Sequence, residues 1–380
     1  MMRINPFTSC ALDALRLFAA FGVVFAHLDN SRLYPGTAVL QSYGGCFVVV
    51  FFVISGYVIA ATTDPSRCGV VRYYAIRLAR LWTVAIPALL LALVLQMVGG
   101  CVNPQFFATF DRGHSMLRFG LAAIFANEFW FASSGPPMVL PVWSLAYEFW
   151  YYVLFGIFVY VRKHLSRALA LLLVCAIAGP KILALLPIWL LGAMAWRIAD
   201  YRSLYERWAR PLIGFSTLLV LSLVWAHPRW PGKIGFAPWF FSGAWISDWL
   251  IGIGVAGVIV GMDALFHSRP VPRQLNKIIK RGAGVSFSLY LLHYPLMAFA
   301  AGVLPYDHSS AIHVAGVLTL IFVVVYFFGS YFEPKRKQLA VQLEVPIRSL
   351  WTRFGMLAGR SSLLPNAAIV AEPSSRGSTD

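Results

Sequence analysis

Residues 12–27, LDALRLFAAFGVVFAH, carry an acid, a base and an imidazole through an otherwise apolar run. With ~3.6 residues per turn, Arg16 and His27 lie about three full turns apart and share a helical face. At ~1.5 Å rise per residue they are separated by roughly 16 Å along the axis, about half the hydrocarbon thickness of a bilayer. Asp13 and Arg16, at i and i+3, can pair on the same side. Ionisable groups at membrane depth are costly and face protein or a wet cavity. Two roles are open to the Asp13–Arg16 pair: capping and anchoring one end of the span, or binding. His27 is the sharper signal, because a largely neutral imidazole makes a poor interfacial anchor.

The rest of the chain has the same character. With 59% apolar and only 12% charged residues, and a mean hydropathy of +0.71, the composition excludes an ordinary soluble protein and fits a polytopic all-α membrane protein. About ten spans are expected, near 12–28, 46–63, 76–99, 142–161, 168–179, 181–199, 211–227, 240–264, 284–304 and 311–333. No small-residue cleavage signal precedes the first span, so it is expected to be retained. A net charge of +16 would admit a nucleic-acid partner, but its placement argues against one. If the N-terminus is cytoplasmic, every inner loop carries three to five Lys or Arg, within 67–80, 162–167, 197–210 and 269–281. The outer loops hold only Arg32, Arg112, Arg118, Lys181, Arg229 and Lys233. That is the positive-inside pattern, with both termini cytoplasmic. The cysteines, Cys10, Cys46, Cys68, Cys101 and Cys175, are scattered, odd in number and unpaired by spacing, so neither a disulfide framework nor a metal site is expected.

Several stretches carry chemistry. In FFVISGYVI (51–59), Ser55-Gly56 opens a small-residue notch where another backbone or a ligand can approach. In VRYYAIRLARLWTVAIP (71–87), Arg77 and Arg80 sit at i and i+3 and run into the apolar segment. Two guanidiniums on one face can clamp a phosphate, although anchoring alone would account for Arg72. Residues 116–132 are apolar enough to cross but include Asn127 and Glu128. A crossing there would invert every later loop, so a re-entrant or interfacial segment is expected. Next, PVWSLAYEFWYYVLFGIFVYV (141–161) places Glu148 just over one turn below Trp143-Ser144, at a depth similar to His27. The two could form an acid/base pair, or Glu148 could satisfy a buried Arg or backbone group. The loop AHPRWPGKIGFAPWF (226–240) could stack on sugar rings or simply belt the interface. In VSFSLYLLHYPLMAF (285–299), Ser286, Tyr290 and His293 form one polar stripe, open to structural hydrogen bonding or to substrate contact. Residues 1–337 read as one membrane domain, and 338–380 as a cytoplasmic, largely disordered tail ending SLLPNAAIVAEPSSRGSTD.

Taken together, LDALRLFAAFGVVFAH, FFVISGYVI, the Arg77/Arg80 pair, WSLAYEFWYY, SFSLYLLHYP and YFEPKRK resemble, in order and spacing, the acyltransferase-3 family of integral-membrane acyltransferases. That family includes bacterial O-acetyltransferases of surface polysaccharides, and the resemblance covers roughly residues 10–337. It implies a multi-pass protein of the bacterial inner membrane. The donor would be acyl-CoA, acetyl-CoA first, used from the cytoplasm as co-substrate with no tightly bound cofactor. The acceptor would be a hydroxyl of an extracytoplasmic carbohydrate, such as an exopolysaccharide or lipopolysaccharide. His27 falls on the family's essential histidine, Arg16 on its first-span arginine, Arg77 and Arg80 on the pair linked to the donor, and Glu148 on the acid of the WSL motif. Tyr147 and Tyr151 depart from the usual pattern and are expected to reshape the acceptor site. No counterpart of the family's optional extracytoplasmic esterase-like domain is expected. Any acyl relay is therefore expected to end in the membrane domain or pass to another protein.

Acyl transfer from thioester to hydroxyl needs a base and charge stabilisation at the tetrahedral intermediate. His27 is the best base; Glu148 could orient it or take its place, and an acyl-histidine intermediate remains open beside direct transfer. The rival class is a transporter or flippase of a lipid-linked or anionic solute using the same polar stripe. That class requires paired interrupted spans in repeated halves, and none is visible in the sequence.

Overall fold

The computed structural model describes residues 4–226, 238–267 and 269–353, which are helical with no strand among them. The principal helices are α1 (Pro6–Ala26), α2 (Gly44–Thr62), α3 (Val70–Val102), α4 (Ser115–Ala123), α5 (Trp143–Tyr160), α6 (His164–Ala178) and α7 (Pro180–Ala199). They continue with α8 (Ala209–Ala226), α9 (Trp245–Phe266), α10 (Arg273–Ala283), α11 (Ser286–Val303), α12 (Ala311–Phe332) and α13 (Arg336–Arg353). Among the described residues, nine helical segments are long and apolar enough to cross a membrane, and α6 is a shorter apolar helix of 15 residues. The protein is an all-α polytopic membrane protein, as its composition requires.

Local chemistry explains the helix ends that matter. α1 starts where the Asn5 side chain accepts the Thr8 N–H, with Pro6 supplying a first residue that needs no partner. Asn5 and Thr8 also donate to Asp263 of α9, at 2.6 and 2.7 Å, which ties the start of α1 to the bundle. α1 ends at His27, whose backbone turns the chain into a tight loop. Two tyrosines pin that loop: Tyr294 donates to the Asn30 carbonyl and Tyr306 to that of Leu33. α2 packs most closely on α7. A Cβ at Gly56 would lie 1.9 Å from the Trp189 carbonyl oxygen, and one at Gly192 1.9 Å from that of Val53. α2 and α7 therefore meet backbone to backbone, and the Gly56 notch is helix packing.

Residues 116–132 do not cross. α4 spans only 9 residues, about 14 Å, after which Phe125 (φ 59°) and Trp130 (φ 47°) turn the chain back in the left-handed region. Glu128 and Lys181 bury their charges as a pair, with Nζ 2.7 Å from Oε2 and both side chains fully enclosed. Lys181 also donates to the Ala132 carbonyl at 2.7 Å, and Ser133 donates to Glu128 at 2.7 Å. Lys181, expected in an outer loop, is thus a buried residue of α7. The segment rests on the α6–α7 turn, where Trp130 donates to the carbonyls of Ala176 and Ala178. Gly179, at φ +82°, makes that approach possible, since a Cβ there would meet the Trp130 Cα at 2.6 Å.

At the other end of the bundle, α13 lies along the start of the 33-residue α3. Tyr74 and Trp351 are in ring contact at 6.3 Å, and Arg72 pairs with Glu344 at 3.8 Å. Residues 338–353, expected as the beginning of a disordered tail, are instead helical. The aromatic loop at 227–237 and the tail from 354 lie outside the described residues.

Candidate functional site

α1 carries ionisable side chains at two levels of one face, and the bundle gives each level a different surrounding. At the basic end, α1, α3, α10, α11, α12 and the start of α13 line a cavity of about 630 Å³. Its walls hold six cationic side chains (Arg16, Arg80, Lys280, Arg281, Arg336, Lys337) against the two carboxylates Asp13 and Glu333. Asp13 pairs with Arg16 at 3.5 Å, as their spacing predicts. Glu333 is held in the wall by Ser288, whose N–H and hydroxyl both donate to it, at 3.1 and 2.8 Å. An excess of cations at this density fits a polyanionic ligand.

Three turns further along α1, His27 meets a second imidazole. Its Nδ1 lies 2.8 Å from Nε2 of His293, with the rings parallel and 5.1 Å apart. His293 is fully buried in α11, and its own Nδ1 lies 2.9 Å from the Leu289 carbonyl oxygen. His27 is only half-buried, with Tyr294 edge-on to its ring.

Glu148 occupies a different place from the one expected. Ser55 donates to its Oε1 at 2.6 Å, Tyr152 donates to the same oxygen, and Trp189 donates to the Ser55 hydroxyl at 3.2 Å. The Arg80 guanidinium lies against the Tyr152 hydroxyl. Among the described residues no hydrogen bond joins Glu148 to His27, so the expected acid/base pair is replaced by a His27–His293 pair and a separate carboxylate hub. The hub's tyrosine, one turn after Glu148, was visible in the sequence as an i, i+4 neighbour.

A family model described as an acyltransferase domain matches residues 11–332, from α1 to the end of α12, and includes both imidazoles and the Glu148 hub. The chain belongs to the acyltransferase-3 family. Similar relatives are the proteins named O-acetyltransferase OatA in Staphylococcus aureus strains NCTC 8325 / PS 47, COL and MRSA252. Each is 24% identical over 331 residues, covering 76% of this chain and 50% of the relative. The chain thus spans about half the length of the curated relatives it matches. No solved structure matches it.

In this member of the acyltransferase family, the residues singled out in the sequence do not all make the contacts expected of them. Arg77 is buried away from the cavity, with Nη2 donating to Thr62 and Thr63 at 3.0 and 3.2 Å and the guanidinium over the Tyr73 ring. Only Arg80 of the pair reaches the cavity, so the expected two-arginine phosphate clamp is not formed. The ~60° between positions i and i+3 lets one guanidinium tie α3 to the end of α2 while the other faces α1. The stripe on α11 is also divided. Ser286 lines the cavity but donates to the Ala283 carbonyl. Ser144 donates to the Pro141 carbonyl at 3.2 Å, so its 2.7 Å contact with Tyr290 has the tyrosine as donor. Trp143 stacks on Phe241 at 4.6 Å and is packing. Tyr147 and Tyr151 both reach toward α7, through Ser242 and the Ile182 carbonyl respectively, so these departures brace the bundle. Lys280 and Arg281 read in the sequence as orientation signals and Arg336 and Lys337 as part of YFEPKRK, and nothing local marks the four as the wall of one cavity.

Proposed function

We propose that this chain is a membrane O-acetyltransferase that moves an acetyl group from a coenzyme-A-type thioester to a carbohydrate hydroxyl. The carrying observation is the polarity of α1: a cavity with a cationic excess at Arg16, and a half-buried imidazole about 16 Å further along at His27. The donor's phosphates sit against Lys280, Arg281, Arg336 and Lys337, with Arg80 and Arg16 deeper. The basic loops at the same end make this the cytoplasmic face by the positive-inside rule, and His27 then serves the extracytoplasmic face of a bacterial inner membrane. The relatives' name, O-acetyltransferase, supports acetyl and an oxygen acceptor.

His27 takes the proton of the acceptor hydroxyl as its oxygen attacks the thioester carbonyl. The Glu148 hub acts on the donor side: through Tyr152 it holds Arg80 toward the cavity. Purified protein in nanodiscs, supplied with labelled acetyl-CoA and a panel of oligosaccharides, tests the reading. Acceptor-dependent thioester loss with label on sugar oxygen is expected, and His27→Gln should abolish it, because an amide hydrogen-bonds but takes no proton near neutral pH. Solute movement across a bilayer without thioester consumption would replace this reading with a transporter.

A further inference from the structure

We infer that His293 is a positioning residue that sets the tautomer of His27, leaving Nε2 of His27 as the bare nitrogen that receives the acceptor's proton. The inference rests on the proposal that His27 is the base. A carbonyl oxygen can only accept, so the 2.9 Å contact from His293 Nδ1 to the Leu289 carbonyl requires the proton on Nδ1. Neutral His293 then has a bare Nε2. That atom lies 2.8 Å from His27 Nδ1, and one proton must lie between them, so His27 supplies it. Neutral His27 is left with a bare Nε2, on the ring edge directed away from the pair. A Cβ placed on Gly44 would stand 4.0 Å from this nitrogen, so the start of α2 is its neighbour and Gly44 itself brings no side chain against it.

Burial reinforces the order of the chain. His293 is wholly enclosed and anchored to its own helix, whereas His27 retains exposed surface at the end of α1. The inner imidazole is therefore the fixed member and the outer one the working member. In the transfer, the acceptor O–H bond breaks as N–H forms at His27 Nε2, and the oxygen bonds to the thioester carbonyl carbon. Collapse of the intermediate breaks the C–S bond, and the departing thiolate takes the proton back from Nε2. His293 exchanges no proton with either substrate; it accepts the Nδ1–H bond throughout and holds the ring plane. Without that acceptor, the proton can shift to Nε2 and the same ring presents a donor where a base is needed.

The test joins kinetics to a direct view of the tautomer. His293→Leu keeps volume but offers no acceptor, and should lower kcat by ~10²-fold or more while the donor KM stays within about twofold. His293→Gln, whose carbonyl can accept from His27 and whose amide can donate to Leu289, should recover most of the loss. Nitrogen-15 histidine spectra of the wild-type protein in bilayers should show His27 protonated at Nδ1 and bare at Nε2, and His293→Leu should mix the two forms. A wild-type His27 protonated at Nε2 overturns the inference whether or not the leucine variant inserts. So does a well-inserted His293→Leu with kcat within about threefold of wild type. An active His27→Gln variant would instead sink the base assignment itself, so the two failures are distinguishable.

Discussion

Lys181→Met isolates the device that fixes the non-crossing segment 116–132. In the folded protein Nζ lies 2.7 Å from Glu128 Oε2 and 2.7 Å from the Ala132 carbonyl, and neither charged side chain touches solvent. Methionine fills the same space but strands a carboxylate, and removing one partner of an enclosed pair costs about 3–5 kcal/mol. At about 1.4 kcal/mol per tenfold, that lowers the folded-to-unfolded ratio by roughly 10²–10³·⁵-fold. Burial pushes the Glu128 carboxyl up, with Lys181 and Ser133 pulling it back, so the variant loses its main counterweight. Above the raised folded pKa the carboxylate is charged and the penalty is complete. Below the ordinary unfolded value both states are protonated, and the charge penalty is gone. Thermal unfolding of purified protein should therefore show a deficit at neutral pH that shrinks as pH falls, and Lys181→Met/Glu128→Leu should regain most of it. A single variant as stable as wild type at neutral pH, or a deficit that grows on acidification, would refute the buried-pair account.

Removing cationic walls of the cavity, as in Arg281→Ala or Arg336→Ala, should raise the donor KM roughly tenfold or more, since a bond to a charged group is worth about 1.5–3 kcal/mol. Initial-rate kinetics should show kcat little changed and a weaker salt dependence. Arg77→Lys should lower thermal stability by about 1–3 kcal/mol, because an ammonium cannot reproduce the fork to Thr62 and Thr63, with donor KM unchanged; a donor-specific defect would return Arg77 to the binding site. Glu148→Gln keeps an acceptor for Ser55 and Tyr152, so the protein should stay folded while the donor KM rises through Arg80; an effect on the pH profile of kcat alone would favour a proton-transfer role. Single cysteines beside Arg72 and Lys277 should be labelled only from the cytoplasm and those beside Pro35 only from outside, and the reverse labelling would exchange the donor and acceptor faces.

The all-α membrane class was legible in composition and in the length of apolar runs, because a bilayer forces each crossing segment to satisfy its own backbone within about 20 residues. The reading of 116–132 as a segment that does not cross, re-entrant or interfacial, followed from the charge pattern of the loops, which no local propensity could have supplied. Likewise, the shared face of Arg16 and His27 followed from helical period alone, and the family from six ordered motifs. Partnership was beyond the sequence. Helical spacing relates residues on one helix, whereas His27 meets His293 across 266 positions and Ser55 meets Glu148 across 93. Period could not say that Arg77 turns to α2 while Arg80 turns to the cavity, because a 60° difference is resolved only by what each neighbouring helix offers. Nor could charge counting single out Lys280, Arg281, Arg336 and Lys337, since it is the packing of α10 against α1 and of the start of α13 against α3 that gathers them into one wall.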